Sequence, residues 1–139
     1  MADDVILNKA AVVERCIARV REEHAGDDAN LMENMTRQDS IILNLQRACE
    51  ATIDLAMHLV KANELGNPQE SRDAFAFLAD ADLLERDRAE KLMKMVGFRN
   101  IAVHDYKKLN LEIVASIIHD DLDVFLDFTK WAIQSGGSK

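Results

Sequence analysis

The sequence predicts an all-α protein, an up-and-down bundle of about five helices. Only five glycines and one proline interrupt 139 residues, while Ala, Leu, Ile, Met, Glu and Lys, which enter helices at little cost, are abundant. The apolar residues mostly recur at spacings of three and four rather than two, as amphipathic helices require. The length suits one domain with a real core. Residues 1–134 are read as that domain and 135–139 (Ser-Gly-Gly-Ser-Lys) as a frayed tail.

The first helix is expected from Asp4 to His24, with Ile6, Ala10, Val13, Ile17 and Val20 on one stripe and Asp3 and Asp4 suited to the positive end of its dipole. Residues 26–30 break the pattern, and Leu31 to Met35 form a short helical or irregular connector. Thr36 can cap a second, longest helix from Arg37 to Leu65, with Asp39 placed to reach back toward the cap. Its apolar sector is broad: Ile42, Leu45, Cys49, Ile53, Ala56 and Val60, with Ile41, Ala48, Leu55 and Leu59 beside them. Such a helix packs against several neighbours at once and is the bundle's centre. Gly66, followed by Asn67 and Pro68, is expected to terminate it as a C′ residue. Ser71 opens a shorter helix with Phe75 and Leu78 inward, ending around Asp80 to Leu83. A fourth helix runs from about Glu85 to His104. A fifth, capped by Asn110, runs to about Gln134 through Val114, Ile117, Ile118, Leu122, Phe125 and Phe128.

The composition excludes several functions. No apolar run approaches the roughly 18 residues of a membrane span, and the N-terminus is acidic where a secretory signal is basic, so a cytoplasmic protein with no membrane contact is expected. Cys16 and Cys49 stand alone on apolar faces and read as reduced core residues, with no zinc or disulfide framework. A net charge of −8 argues against non-specific coating of nucleic acid. That charge is uneven: Arg86 to Lys108 holds seven cations against three anions, a net +4 that leaves −12 for the rest. His24 and His58 read as structural, and His119, Asp120, Asp121 and Asp123 as a solvated face. Trp131 is read as a packing or interface residue.

The chemistry concentrates in RNIAVHDY, Arg99 to Tyr106. Ala89, Met93 and Val96 form a stripe that, continued by fours, lands on Asn100 and His104, where the pattern calls for core. Arg99 continues Leu92 and Met95, about 140° from His104 at roughly 100° per residue. Phe98 falls on the polar side with Lys91 and Lys94, a boundary residue or a contact between subunits. Gly97 within the helix suggests a close helix crossing. One account makes Asn100 and His104 a satisfied core network. The other makes His104 a general acid or base and Arg99 a bidentate phosphate ligand. On that account His104 deprotonates an RNA 2′-hydroxyl or protonates the leaving oxygen, and Arg99 neutralises the phosphorane. No metal or cofactor is needed. Asn100 would orient His104 or the phosphate, Tyr106 hydrogen-bond or stack on a base, and Lys91, Lys94, Lys107 and Lys108 meet RNA phosphates.

These residues carry a resemblance. Arg99, four residues, His104, one residue and Tyr106 match the R-x4-H-x-Y signature of HepT-type toxins in the HEPN superfamily. Asn100 matches the polar residue that commonly follows the motif arginine. RQDSIILNLQRACEATIDLAMHLV, Arg37 to Val60, is similar to the family's long second helix and KMVGFRNIAVHDY to its motif helix. The resemblance spans nearly the whole chain and implies a five-helix HEPN bundle. It also implies a metal-independent ribonuclease toxin of a type VII-like toxin–antitoxin system, and a homodimer whose motif helices face each other across a cleft. The partner so implied is a minimal nucleotidyltransferase antitoxin of the MNT type, which moves AMP from ATP to the motif tyrosine, here Tyr106. The alternative is a HEPN module without catalysis that binds a nucleotidyltransferase or its nucleotide.

Overall fold

A computed structural model describes residues 3–135; Met1, Ala2 and residues 136–139 of the expected tail lie outside the described residues. Among the described residues the chain forms seven α-helices, one 3₁₀ turn and no strand. These are α1 (Asp4–His24), α2 (Ala29–Met32), α3 (Met35–Ala62), α4 (Ser71–Asp80), α5 (Arg86–His104), the turn Tyr106–Lys108, α6 (Leu111–Asp120) and α7 (Leu122–Ser135). No helix among them is long and apolar enough to cross a membrane.

Local chemistry accounts for the ends. Asp3 Oδ1 accepts the Val5 N–H at 2.8 Å and opens α1, and Ala25, left-handed at φ 52°, closes it. α2 is the connector, begun two residues earlier than expected. α3 starts at Met35 because Asn34, not Thr36, is its cap, accepting the Arg37 N–H at 3.1 Å; Asn is the stronger capping residue. Asp39 therefore does not reach back to the cap. α3 also ends early, at Ala62, where Asn63 donates to the Leu59 carbonyl through both backbone N–H (3.0 Å) and side chain (2.8 Å). Gly66 is not the C′ residue; it sits in the following loop at φ 137°, where a Cβ would come within 3.2 Å of Phe77. Asn110 caps α6 as expected, accepting from Glu112 N–H at 2.8 Å.

The expected fifth helix is two, broken at Asp121. Consecutive aspartates at 120 and 121 favour local turn conformations over helix. The break lets α7 run along α1, α3 and α5, while α6 lies against α2.

The predicted stripes of α1 and α3 are buried throughout. The N-terminal half of α3 packs with Val13, Ile17 and Val20 of α1, Met95, Phe98 and Ala102 of α5, and Val114, Ile117 and Phe125. Its C-terminal half packs with Phe75 and Leu78 of α4, Leu92 and Val96 of α5, and Phe128 of α7. Trp131 stacks on Phe128, ring centres 5.5 Å apart. Cys16 and Cys49 are buried free thiols, raised in pKa by burial.

Three other residues converge at one end of the bundle. His24 Nε2 and His119 Nε2 lie 2.7 and 2.9 Å from Asp28 Oδ1, tying α1, the start of α2 and α6 together. These two contacts hold the Asp28 carboxyl below the usual carboxylate range. The His58 imidazole similarly lies 2.7 Å from Asp3 Oδ2.

Phe98 is only 5% exposed, which corrects its placement on the polar side: it belongs to the core beside Met95 and Ala102. Phe98→Ala should cost about 3–5 kcal/mol, read from the urea midpoint at several protein concentrations. A loss that scales with concentration would return Phe98 to a subunit interface.

Candidate active site

The C-terminal end of α5 and the turn after it hold the motif, and two carboxylates of α3 receive it. Arg99 follows Leu92 and Met95 on the buried side of α5, so its half-buried guanidinium points at α3. Nε donates to Glu50 Oε2 at 3.3 Å, and Gln46 Nε2 donates to the same oxygen at 3.4 Å. Nη1 of Arg99 donates to Asn100 Oδ1 at 3.1 Å. The asparagine thus bonds the arginine and not, as one expectation had it, the histidine.

Asn100 and His104 are both exposed, which removes the core-network account. The cause is helical drift. Each step of four residues turns about 400°, so Val96, Asn100 and His104 precess by about 40° apiece, out of the buried arc and into solvent. Arg99, a three-step from Val96 and a four-step from Met95, stays within the arc. His104 makes no hydrogen bond to any described residue, which leaves both ring nitrogens open to an incoming group.

Beyond His104 the helix stops. The Asp105 N–H still reaches the Ile101 carbonyl at 2.8 Å, but its φ of −153° ends the α conformation, and the 3₁₀ turn carries Tyr106 back over the start of α3. There the tyrosine hydroxyl donates to Asp39 Oδ1 at 2.7 Å. Burial of the hydroxyl against the bundle, then the Asp39 hydrogen bond and charge, push its pKa up to about 12. Lys107 and Lys108 are exposed in the same turn, Lys108 paired with Asp105 at 3.4 Å.

Lys91 and Lys94 are not brought to this end. They precede His104 by thirteen and ten residues, about 20 and 15 Å along the helix axis. Lys91 pairs with Asp87 at 3.8 Å, and both lysines act on the Asp121 carboxylate at the α6–α7 break. Of the four expected RNA-binding lysines, only Lys107 and Lys108 adjoin the motif.

Sequence reasoning missed three neighbours. Glu50 lies on the polar side of α3, in line with Asp39 and Asp54, where nothing in the sequence distinguishes it from a solvated carboxylate. Asp39 was assigned to capping. Arg72, with Ser71 at the start of α4, lines a cleft of about 460 Å³ that Asn100 enters; the absent side chain of Gly97 leaves room for its guanidinium, which would lie 2.9 Å from a Cβ there. On the other side of the motif, a groove of about 920 Å³ between α1 and α3 includes Asp39 and Glu50 with Arg15, Arg19 and Arg47.

Tyr106 is the chain's sole tyrosine, so its ionisation can be followed directly at 295 nm. Its folded pKa lies above the ordinary value of 10.0, so the hydroxyl contact stabilises the fold fully below pH 10 and is lost as the pH rises toward 12. A tyrosinate midpoint near 12 is expected, falling part of the way toward 10 in Asp39→Asn because burial, the larger cause, remains; a midpoint unchanged in Asp39→Asn would contradict the contact.

Comparison with known proteins places these features in a family. Residues 13–131 match the family model described as Ribonuclease HepT-like. The mRNA nuclease HepT of Shewanella oneidensis is 47% identical over 131 residues, 92% of this chain and 98% of that protein. A rebuilt and re-refined structure of the tri-AMPylated Shewanella oneidensis HEPN toxin in complex with MNT antitoxin superposes with a TM-score of 0.87 at 46% identity, covering 93% of this chain and 96% of that one. A crystal structure of the toxin–antitoxin with AMP-PNP gives 0.88 at 46% identity, covering 93% and 97%. With an intact R-x4-H-x-Y motif at the end of α5 and this likeness along nearly its whole length, the chain belongs to the HepT-like family.

Proposed function

We propose that this chain is the toxin of a toxin–antitoxin pair, an endoribonuclease that cleaves mRNA without a metal ion and is silenced by AMP transfer to Tyr106. The observation that carries the reading is the contrast between Arg99, held by Glu50 and Asn100, and an exposed His104 with no protein partner among the described residues. One group is a fixed cation; the other is a free proton acceptor. In the reaction His104 takes the proton of a ribose 2′-hydroxyl as that oxygen attacks the adjacent phosphorus, the bond to the 5′-oxygen breaks, and a 2′,3′-cyclic phosphate is left. Arg99 compensates the charge that builds on the phosphorane oxygens.

Arg99 and His104 point about 140° apart on one helix, so the reading places the site between two copies of the chain. Arg99 of one protomer faces His104 of its partner. Val103, 40% exposed on the arc between Arg99 and His104, supplies apolar surface for that pairing. The antitoxin is an MNT-type nucleotidyltransferase that uses ATP. Its AMP product on Tyr106 sets a phosphodiester beside the motif, where it repels the substrate backbone and fills its place. The arrangement suits a cytoplasmic protein, with residues 1–134 acting as one domain.

Purified protein should cleave RNA in excess chelator, with His104→Ala and Arg99→Ala each reducing the rate at least about 100-fold. A wild type as inert as His104→Ala leaves the HEPN module without catalysis as the better account. Glu50→Gln, which keeps the shape but removes the charge that holds the guanidinium, should lower cleavage about tenfold through looser orientation of Arg99. With the nucleotidyltransferase and ATP, intact mass should rise by AMP units on the wild type and not on Tyr106→Phe.

A further inference from the structure

Asp39 lies 67 residues from Tyr106 in sequence and outside the motif, yet it receives the tyrosine proton at 2.7 Å. Other side-chain hydroxyls are placed differently. Thr52 and Thr129 donate to the backbone carbonyls of Ala48 and Leu126, which are not bases at ordinary pH. Tyr106 donates to a carboxylate, and it is 44% exposed. The residue is therefore open to solvent on one side while its proton is held from the α3 side.

That geometry matters for group transfer. A phenol attacks phosphorus only as it loses its proton, and at neutral pH a tyrosine with a pKa raised to about 12 is ionised to about one part in 10⁵. A base in contact with the hydroxyl removes this obstacle by taking the proton during attack rather than before it. Asp39 is the titratable group in hydrogen-bond contact with it. Around the pair, Arg19 and Glu22 of α1 and Arg47 of α3 share the groove with Asp39, and Asp105, Lys107 and Lys108 adjoin Tyr106 in the turn.

We propose that Asp39 is the catalytic base for modification of Tyr106, so that the toxin supplies part of the machinery of its own inactivation; this rests on the reading of Tyr106 as the AMP acceptor. In the step the Tyr106 Oη–Pα bond forms while the bond from Pα to the oxygen bridging the β-phosphate of ATP breaks. Pyrophosphate departs, and the hydroxyl proton passes to Asp39 Oδ1 and then to water.

The test follows adduct formation by intact mass for wild type, Asp39→Asn, Asp39→Glu and Tyr106→Phe, each with the MNT-type nucleotidyltransferase and ATP, with circular dichroism melts showing that each variant is folded. Asparagine accepts the hydrogen bond but takes no proton. Asp39→Asn should slow the adduct about 100-fold at pH 7, and its rate should climb with pH as hydroxide generates phenolate, across a range where the wild type is flat. Asp39→Glu should recover much of the rate. Asp39→Asn with the wild-type rate and pH profile would overturn the proposal and assign the base to the nucleotidyltransferase. Equal slowing in Asp39→Asn and Asp39→Glu with an unchanged pH profile would also overturn it, leaving Asp39 a positioning role. An undiminished adduct on Tyr106→Phe would instead remove the acceptor assignment itself.

Discussion

Twelve residues of α3, spread round most of its circumference, are buried, and a helix in that condition is stable only when neighbours arrive on several sides. Here α1, α2, α4, α5 and α7 all contact it. At about 1.5–3 kcal/mol for each large apolar side chain removed from water, this burial dominates the favourable side of folding. It does not by itself select where along α3 each neighbour stops, since apolar contacts are non-directional. The selection comes from the narrow polar line that α3 retains. Asp54 takes Lys9 of α1 at 3.0 Å, Glu50 takes Arg99 of α5, and Asp39 takes Tyr106.

The chemistry of the motif inherits this division. Arg99 lies on the buried arc and is oriented by the Glu50 carboxylate. His104 has drifted out of the arc and is oriented by nothing described in its own chain. The fixed cation and the unfixed imidazole stand about 140° apart at one helix end and so face different surroundings within the chain. Of the apolar side chains exposed near this end, Val103 lies on the arc between Arg99 and His104 and Ile101 on nearly the opposite face.

Much of this was legible in the sequence. The stripes of α1 and α3 are buried as their spacing required, the motif helix ends at His104, Asn110 caps the next helix, and R-x4-H-x-Y pointed to the family. The failures have separate physical causes. Treating repeated four-residue steps as one stripe ignored the 40° gained at each step, which put Asn100 and His104 in the core and left Phe98 out of it. Thr36 lost the cap to a better competitor two residues earlier. The helix break at Asp121 depends on how α6 and α7 pack, which periodicity continuous across the break conceals. The contacts of Arg99 with Glu50 and of Tyr106 with Asp39 span 49 and 67 residues. No local pattern encodes the register between helices that distant.

Asp39 and Glu50 are eleven residues apart, close to three full helical turns, so they stand within about 20° of one line on α3 and roughly 16 Å from each other. The helix is therefore a ruler with two marks, one for the arginine and one for the tyrosine. Side chains between the marks can change without moving them, but a single inserted or deleted residue would swing one carboxylate about 100° away from the other. Length, more than composition, is what this stretch of the chain is bound to keep.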